Sequence, residues 1–472
     1  MNRRLFTSVL FACLLPFMVQ AQQAVFRFAQ LTDIHLSPNN PNPTEDLLRS
    51  IAQINATESI DFVLVTGDIA EEGDRTTMEK VKSCLDLLKV KYYVVLGNHE
   101  TKWSDSGCTA FGEIFGGERF EFEHKGFLFL GFNSGPLMRM AYGHVVPQDI
   151  RWMTETMDRY NAGNSRPDKP VILVTHYPMT EGDVDNWYEV TDAVRPYNIR
   201  LFIGGHYHRD RDFRYDGIPG ILMRSNLRDK DEKPGYGIYE ITEDSILVYT
   251  QRIGEPKRQW AAFSLTDSFY DRNGKAEKYP DFSVNKEYAQ VQEQWIVQTG
   301  AGIYCSPAVE KDKVFVGDDL GRLTAYALKN GKKLWSFQSG KRIVGTPAVS
   351  EDKSFFGTSE YDSVFFYLHG RSMLVAEAYI GCPQFVRLVA FGGVAYDTVV
   401  HGLAVNTFFI FGQSYCLTYH GLEGTPYGIA RFYVNGGHGT LRVGNEYLPI
   451  GCHRPYGGRG EVHARQSACP FP

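Results

Sequence analysis

The sequence predicts an α/β domain followed by a shorter all-β segment, and three observations support this. Between residues 26 and 250, short apolar runs rich in β-branched and aromatic residues alternate with amphipathic stretches, as strands joined by helices do. Five of these runs end in a polar block that carries Asp, Asn or His. After about residue 293 the texture changes to a repeat with a period of 40 residues, marked by apolar alternation and turn glycines.

Taken in order, Phe26–Leu31 reads as a buried strand. Thr44, followed by Glu45 and Asp46, is placed to N-cap a helix to about Asn55, with Leu47, Leu48, Ile51 and Ile54 as its apolar face. Phe62–Val65 is the next strand, Thr76–Lys89 the next helix with Val81, Leu85 and Leu88 on one side, and Tyr92–Leu96 the third strand. Phe127–Phe132 follows as a strand, Pro147–Tyr160 as a helix, Val171–Val174 as a strand and Glu189–Arg195 as a short helix. Leu201–Ile203, Ile221–Arg224, Gly237–Ile241 and Ile246–Thr250 supply the remaining strands.

The polar blocks are Asp33-Ile34-His35, Gly67-Asp68, Gly97-Asn98-His99-Glu100, Thr175-His176 and Gly205-His206-Tyr207-His208. In a sheet covered by helices the carboxyl ends of strands face one crevice, so blocks far apart in sequence converge there. Seven histidines precede residue 350 and five of them lie in these blocks, which is not how core histidines scatter. Any single block is weak, because an isolated Asp-x-His or Gly-Asp is common and a lone histidine is more often structural. All five in order, each at a strand end, point to a metal site.

The residue types suit one chemistry. Hydrolysis of a phosphate ester requires stabilising an attacking oxygen, a leaving oxygen and the charge on the equatorial oxygens. Two cations about 3.5–4 Å apart do this and also turn a bound water into a hydroxide nucleophile. Such a pair needs a carboxylate able to bridge, with imidazoles and oxygens around it. A mixed nitrogen and oxygen set suits Fe, Mn or Zn better than Ca or Mg, and the lack of Cys in any block argues against a structural zinc site.

In order and spacing, the blocks resemble the calcineurin-like metallophosphoesterase superfamily over roughly residues 24–250. The stretch "DFVLVTGDIAEEG…YYVVLGNHE" is similar to the branch that holds bacterial cyclic-nucleotide phosphodiesterases. The resemblance implies a four-layer sandwich, two β-sheets flanked by helices. It also implies that Asp33, His35, Asp68 and His208 hold one metal, and that Asp68 bridges to a second completed by Asn98, His176 and His206. His99 would not be a ligand; it would contact the phosphate and protonate the leaving group. Glu100 stands where many relatives have Asp, a change expected to alter how His99 is held.

Composition bounds the partners. The chain has 472 residues, enough for two or three domains, and a formal charge of −6 that gives no basic footprint for nucleic acid. Residues 1–21 read as a secretory signal peptide, with Arg3 and Arg4 before an apolar stretch and Val19-Gln20-Ala21 as the cleavage site. The apolar run is short for a membrane span, so the expected mature protein lacks a transmembrane segment and is exported, to the periplasm or beyond. Such a compartment permits a Cys84–Cys108 bridge without demanding one; buried free thiols are the equal alternative.

Substrate choice is expected in loops, where a small phosphate ester would be read. Asn133–Val145 offers Arg139 as a phosphate clamp, with Tyr142 and His144 nearby, and Glu181–Tyr188 offers Trp187 as a base-stacking surface. Tyr207, between two proposed ligands, is better placed to touch substrate.

A polar linker at residues 266–292 separates the domain at 22–265 from the repeat at 293–363. Trp295-x-x-Gln298-x-Gly300 recurs as Trp335-x-x-Gln338-x-Gly340, and Ser306-Pro307-Ala308-Val309 as Thr346-Pro347-Ala348-Val349. These units resemble PQQ-like β-propeller repeats, here an incomplete propeller-like segment without a quinone site, which would bind a protein partner or merely pack against the first domain. The 20 lysines all precede residue 354, and the expected blade ending never arrives. The break in mid-blade leads us to expect that residues 364–472 are a tail translated out of frame, because a chain that abandons its own repeat leaves blade edges exposed.

Together these readings describe an exported two-metal hydrolase of phosphodiesters or phosphomonoesters, acting through a metal-bound hydroxide. The rival is a non-catalytic scaffold that works through its repeats and keeps a vestigial phosphoesterase domain. That rival predicts lost ligand positions, and every one is filled.

Overall fold

The computed structural model describes residues 25–359 apart from 105, 138–139, 163–167 and 351–352; beyond residue 361 it describes only the backbone of strands between Asp362 and Val443. The signal-peptide reading therefore falls outside the described residues, as does the side-chain packing on which the out-of-frame reading of the tail turns.

Two mixed sheets carry the first domain. Strands β1 (Phe26–Leu31), β2 (Phe62–Thr66) and β3 (Lys91–Val95) run parallel, linked by helices α1 (Asn42–Ala56) and α2 (Arg75–Leu85). After the short helices α3 (Asn98–Lys102) and α4 (Thr109–Phe115), the chain builds the second sheet from β4 (Phe120–His124), β5 (Phe127–Gly131), β6 (Val171–Val174), β7 (Ile199–Gly204), β8 (Arg211–Tyr215) and β9 (Ile218–Leu222). Helix α5 (Pro147–Ala162) joins β5 to β6, and α6 (Trp187–Val194) joins β6 to β7. The chain then returns to the first sheet as β10 (Gly235–Ile241), β11 (Ser245–Arg252) and β12 (Arg258–Ser264), giving the order β12-β11-β10-β1-β2-β3 beside β4-β5-β6-β7-β9-β8.

Burial on both faces explains the near-continuous apolar runs of the parallel strands. One core lies between the sheets, where Phe28 and Phe129 pack at 5.6 Å between ring centroids beside Leu64, Ile203 and Tyr239. A second core packs α1, α2 and α4 on the outer face of the first sheet, and a third packs α5 and α6 on the second. The result is two mixed sheets flanked by helices. The parallel registers, Leu31 opposite Val65, Val65 opposite Val94 and Val174 opposite Ile203, put these strand ends level, so that the chain leaves the two sheets on one side.

Several local expectations shift. Helix α1 starts at Asn42, before Thr44, because Pro43 is accommodated in the first turn, where backbone N–H groups lack helical partners anyway. Helix α2 is capped by Asp74, whose side chain accepts the Thr77 N–H at 2.9 Å. The first part of the 266–292 stretch lies against the domain: the Tyr270 hydroxyl accepts the Ile199 N–H at 2.8 Å, and Arg272 donates to the Pro196 carbonyl. A 3-10 helix, Ser283–Tyr288, lies in the same stretch.

Beyond it, β13 (Ala308–Glu310), β14 (Lys313–Gly317), β15 (Arg322–Ala327) and β16 (Lys333–Gln338) form an antiparallel four-stranded sheet over Phe315, Leu323 and Ala325. The next unit opens in the same register. Ala348 pairs with Phe355 as Ala308 pairs with Phe315, 40 positions earlier. This all-β segment is compatible with propeller blades.

Candidate metal centre

The five polar blocks sit where the strands end, and the backbone there is unusual. Asp33, His35, Asp68, His206 and His208 all have positive φ, between 48° and 74°. Non-glycine residues rarely adopt this region, and a cluster of them marks a place where the surrounding structure holds the chain against local preference. Two glycines permit close approach. A Cβ at Gly97 would lie 2.1 Å from Asp68 Oδ1, and one at Gly205 would lie 2.0 Å from Thr32 Oγ1 and 2.6 Å from Asp33 Oδ2.

The proposed ligands meet in two groups, Asp33–His35–His208 and Asp68–His176–His206, and His35, Glu71 and His99 form a third, each with its donor atoms within 4.8 Å of one another. In the first, His208 Nε2 is 3.2 Å from Asp33 Oδ1 and 3.1 Å from His35 Nε2. In the second, His176 Nε2 is 3.1 Å from Asp68 Oδ2 and 3.2 Å from Asn98 Oδ1. Asp68 Oδ2 also lies 3.9 Å from His35 Nε2, so this one oxygen faces both groups. Imidazole nitrogens and carboxylate oxygens turned toward a shared point form a donor set that fits cations of the Fe, Mn or Zn kind. Asp33 and His176 are fully buried there.

The electrostatics reflect the crowding. Burial pulls His176 down, but the Asp68 carboxylate outweighs it and pushes the imidazole up to about 9. Burial opposes charge on Asp68 as well, yet His176 holds it well below the usual carboxylate range. His206, desolvated and next to a cationic His176, falls to about 4. His35 is also lowered by burial, whereas the hydrogen bond to Asp33 raises His208. Asp68 thus favours charge on His176, and His176 in turn disfavours it on His206.

Comparison with known proteins agrees with this geometry. The sequence profile described as calcineurin-like phosphoesterase matches residues 26–210, from the first residue of β1 to just past His208. This segment is a calcineurin-like metallophosphoesterase domain. YvnB, an uncharacterized protein of Bacillus subtilis, is 26% identical over 205 residues, which is 38% of this chain and 15% of that protein. The 3',5'-cyclic-nucleotide phosphodiesterase alr5338 of a Nostoc species is 21% identical over 242 residues, 46% of this chain and 88% of that protein. A probable glycerophosphodiester phosphodiesterase, GpdQ of Arcobacter nitrofigilis, is 25% identical over 267 residues, 48% of this chain and 93% of that protein. The chain spans only a small part of YvnB, and matches most of the other two over less than half of its own length.

Within the metallophosphoesterase domain, His99 stands at the edge of both groups. Its Nδ1 lies 2.5 Å from the Glu71 carbonyl, and its Nε2 lies 4.0 Å from Asp68 Oδ2. Glu100, the position expected to alter how His99 is held, bonds elsewhere. It is buried, and its two oxygens accept the Ala70 N–H at 3.0 Å and the Gly97 N–H at 2.8 Å, tying two ligand loops together. Glu71 instead lies against both His99 and His35. Besides its carbonyl contact, its carboxylate lies 3.1 Å from His35 Nδ1, without the alignment of a hydrogen bond. Its place three residues after Asp68 was the available signal.

The substrate-contact expectations divide. Tyr207 is half-buried at the site, and its hydroxyl donates to the Asp183 carboxylate at 2.8 Å. Asp183 in turn lies 3.8 Å from His206 Nε2, a link between loops that sequence reading missed. Trp187 does not offer a stacking face: it is 6% exposed and packs in the third core with Val190 and Val194, because it opens α6 on the side facing the sheet. Tyr142 is exposed, and His144 Nδ1 pairs with Asp185 at 2.7 Å. Arg139 lies outside the described residues. Cys84 and Cys108 are separate buried thiols.

Proposed function

We propose that the chain is an exported, two-metal phosphodiesterase acting on small diesters such as cyclic nucleotides or glycerophosphodiesters. The observation that carries the reading is the placement of Asp68 Oδ2 between two groups of nitrogen and oxygen donors. Asp33, His35 and His208 would hold one ion, Asn98, His176 and His206 the other, and Asp68 both. Bound there, the ions would acidify a water and neutralise charge on the phosphate.

The chain's own residues supply the rest. His99 reaches the edge of both groups, with Nδ1 against the Glu71 carbonyl and Nε2 free to give its proton to a departing alkoxide. Glu100 holds the turn that carries Asn98 and His99, and Glu71 lies beside His35. The names of two relatives, a cyclic-nucleotide phosphodiesterase and a probable glycerophosphodiester phosphodiesterase, favour diesters over monoesters. On this reading residues 1–21 are removed on export, and residues 22–265 are the catalytic domain.

The test is hydrolysis by the mature full-length chain, loaded with Mn, Zn or Fe, of bis-p-nitrophenyl phosphate against p-nitrophenyl phosphate, with Asp68→Asn as control. Metal-dependent turnover that favours the diester and is lost in the variant is the expected result. Preference for the monoester would make it a phosphatase. Metal-loaded protein inactive on both esters would return the weight to the scaffold reading.

A further inference from the structure

Several side chains tie the β-segment after residue 292 to the phosphoesterase domain, among them Arg151, which donates to the Gly300 carbonyl at 2.9 Å, and above all Arg342. Arg342 places Nε 2.7 Å from Asp319 Oδ1 in its own segment and Nη2 2.5 Å from Glu118 Oε1 in the other, and it donates from Nη1 to the Gly107 carbonyl at 2.7 Å. Gln148 adds a further tie, donating to Asp319 at 2.6 Å and accepting the Gly302 N–H at 3.0 Å. The contact borders an open cleft of about 380 Å³ lined in part by Glu118, Asn133, Gly135, Tyr304 and Arg342.

From Arg342 a chain of hydrogen bonds runs to the candidate metal centre. Glu118 Oε2 accepts from Asn133 Nδ2 at 3.1 Å, and Asn133 Oδ1 accepts the Gly135 N–H at 3.0 Å, closing a turn around Ser134. Ser134 Oγ is fully buried and accepts the backbone N–H groups of His176 at 3.4 Å and Tyr177 at 3.1 Å. A second route leaves through the Gly107 carbonyl to Cys108, whose thiol lies 3.8 Å from the carbonyl of Glu100, the residue that holds Gly97. Both routes end on the loops that carry Asn98 and His176, and neither ends on Asp33, His35 or His208.

We infer that Arg342 is a positioning residue through which the β-segment sets the Asp68–Asn98–His176–His206 half of the metal centre. Removing the guanidinium leaves Glu118 and Asp319 facing each other without their shared cation, and a partly buried carboxylate that loses its partner moves toward water. Glu118 then no longer holds Asn133, and the turn that seats His176 relaxes. The inference rests on the two-metal reading of the site, but its test does not require turnover.

The experiment is a Mn²⁺ titration of the full-length chain followed by electron paramagnetic resonance, which separates single ions from a coupled pair. It compares wild type with Arg342→Ala, Arg342→Lys and Asn133→Ala. Removal of partners that orient metal ligands commonly costs about 10- to 100-fold in affinity. Arg342→Ala and Asn133→Ala are therefore expected to weaken the second ion by about tenfold while the first keeps its affinity, with partial recovery in Arg342→Lys. Asn133→Ala leaves the Arg342 contacts intact, so it separates transmission from docking and carries the test if Arg342→Ala fails to fold. The proposal is overturned if Asn133→Ala leaves the second ion unchanged, or if both ions weaken equally. A wild-type chain that binds no coupled pair would overturn the two-metal reading itself, and this inference with it. Coupled ions without ester hydrolysis would remove only the catalytic reading.

Discussion

Asp68 Oδ2 lies 3.1 Å from His176 Nε2, with the aspartate 2% exposed and the histidine wholly buried. Burial disfavours charge on each group, while each favours the charged form of the other, so the pair couples the centre to protons.

The first prediction concerns pH. His176 is raised to about 9 in the metal-free fold, above the unfolded value of about 6.5. The stability it contributes is therefore complete below about 6.5 and is lost as pH rises through about 9. An imidazolium cannot ligate, so an ion entering this half of the centre must displace that proton. Apparent affinity should rise about tenfold per pH unit between pH 7 and 9, with at least one proton released per second-site ion. Calorimetry in two buffers of different ionisation heat counts the protons; a count of zero would rule out the buried His176–Asp68 ion pair.

A second prediction follows from the crowding at Gly205, where an added Cβ would lie 2.0 Å from Thr32 Oγ1 and 2.6 Å from Asp33 Oδ2. Gly205→Ala must displace Asp33 or the His206–His208 turn. It should cost about 1–3 kcal/mol of stability by overpacking. It should also weaken the ion proposed for Asp33, His35 and His208 by about tenfold or more. Denaturant unfolding and metal titration measure the two effects; unchanged affinity would show that this turn does not set the ligand geometry.

Trp187 supplies the third. As a core residue its truncation to Ala should destabilise the domain by about 3–5 kcal/mol. Below the unfolding transition, kcat/KM for a nucleotide diester should stay within about twofold, since a change at a site that does not touch the transition state leaves that ratio alone. A tenfold fall in kcat/KM with unaltered stability would restore the stacking role that burial argues against.

The parts of this protein legible in its sequence are those that chemistry restricts to a few residue types. Metal donors must be Asp, Asn or His, and strands buried on both faces must be apolar, so the five blocks and the strands before them stood out from local pattern alone. Edge strands such as β4 and β8 did not, because Phe120–His124 and Arg211–Tyr215 mix charged and aromatic residues as solvent-facing strands do. The short helices α3 and α4 are too brief for a period of 3.6 to show.

Tertiary structure decided the rest. Sequence could suggest that Trp187 and Tyr207 both lie in loops, but only the packing of α6 against its sheet buries one and leaves the other at the site. Likewise, Glu71 lies beside His35, Asp183 reaches Tyr207, and Arg342 holds Glu118 across 224 positions. Each of these depends on where a side chain lands after the chain has closed on itself. Local pattern records which residues can bind a metal or fill a core; distances between remote side chains exist only once sheets, helices and loops have packed.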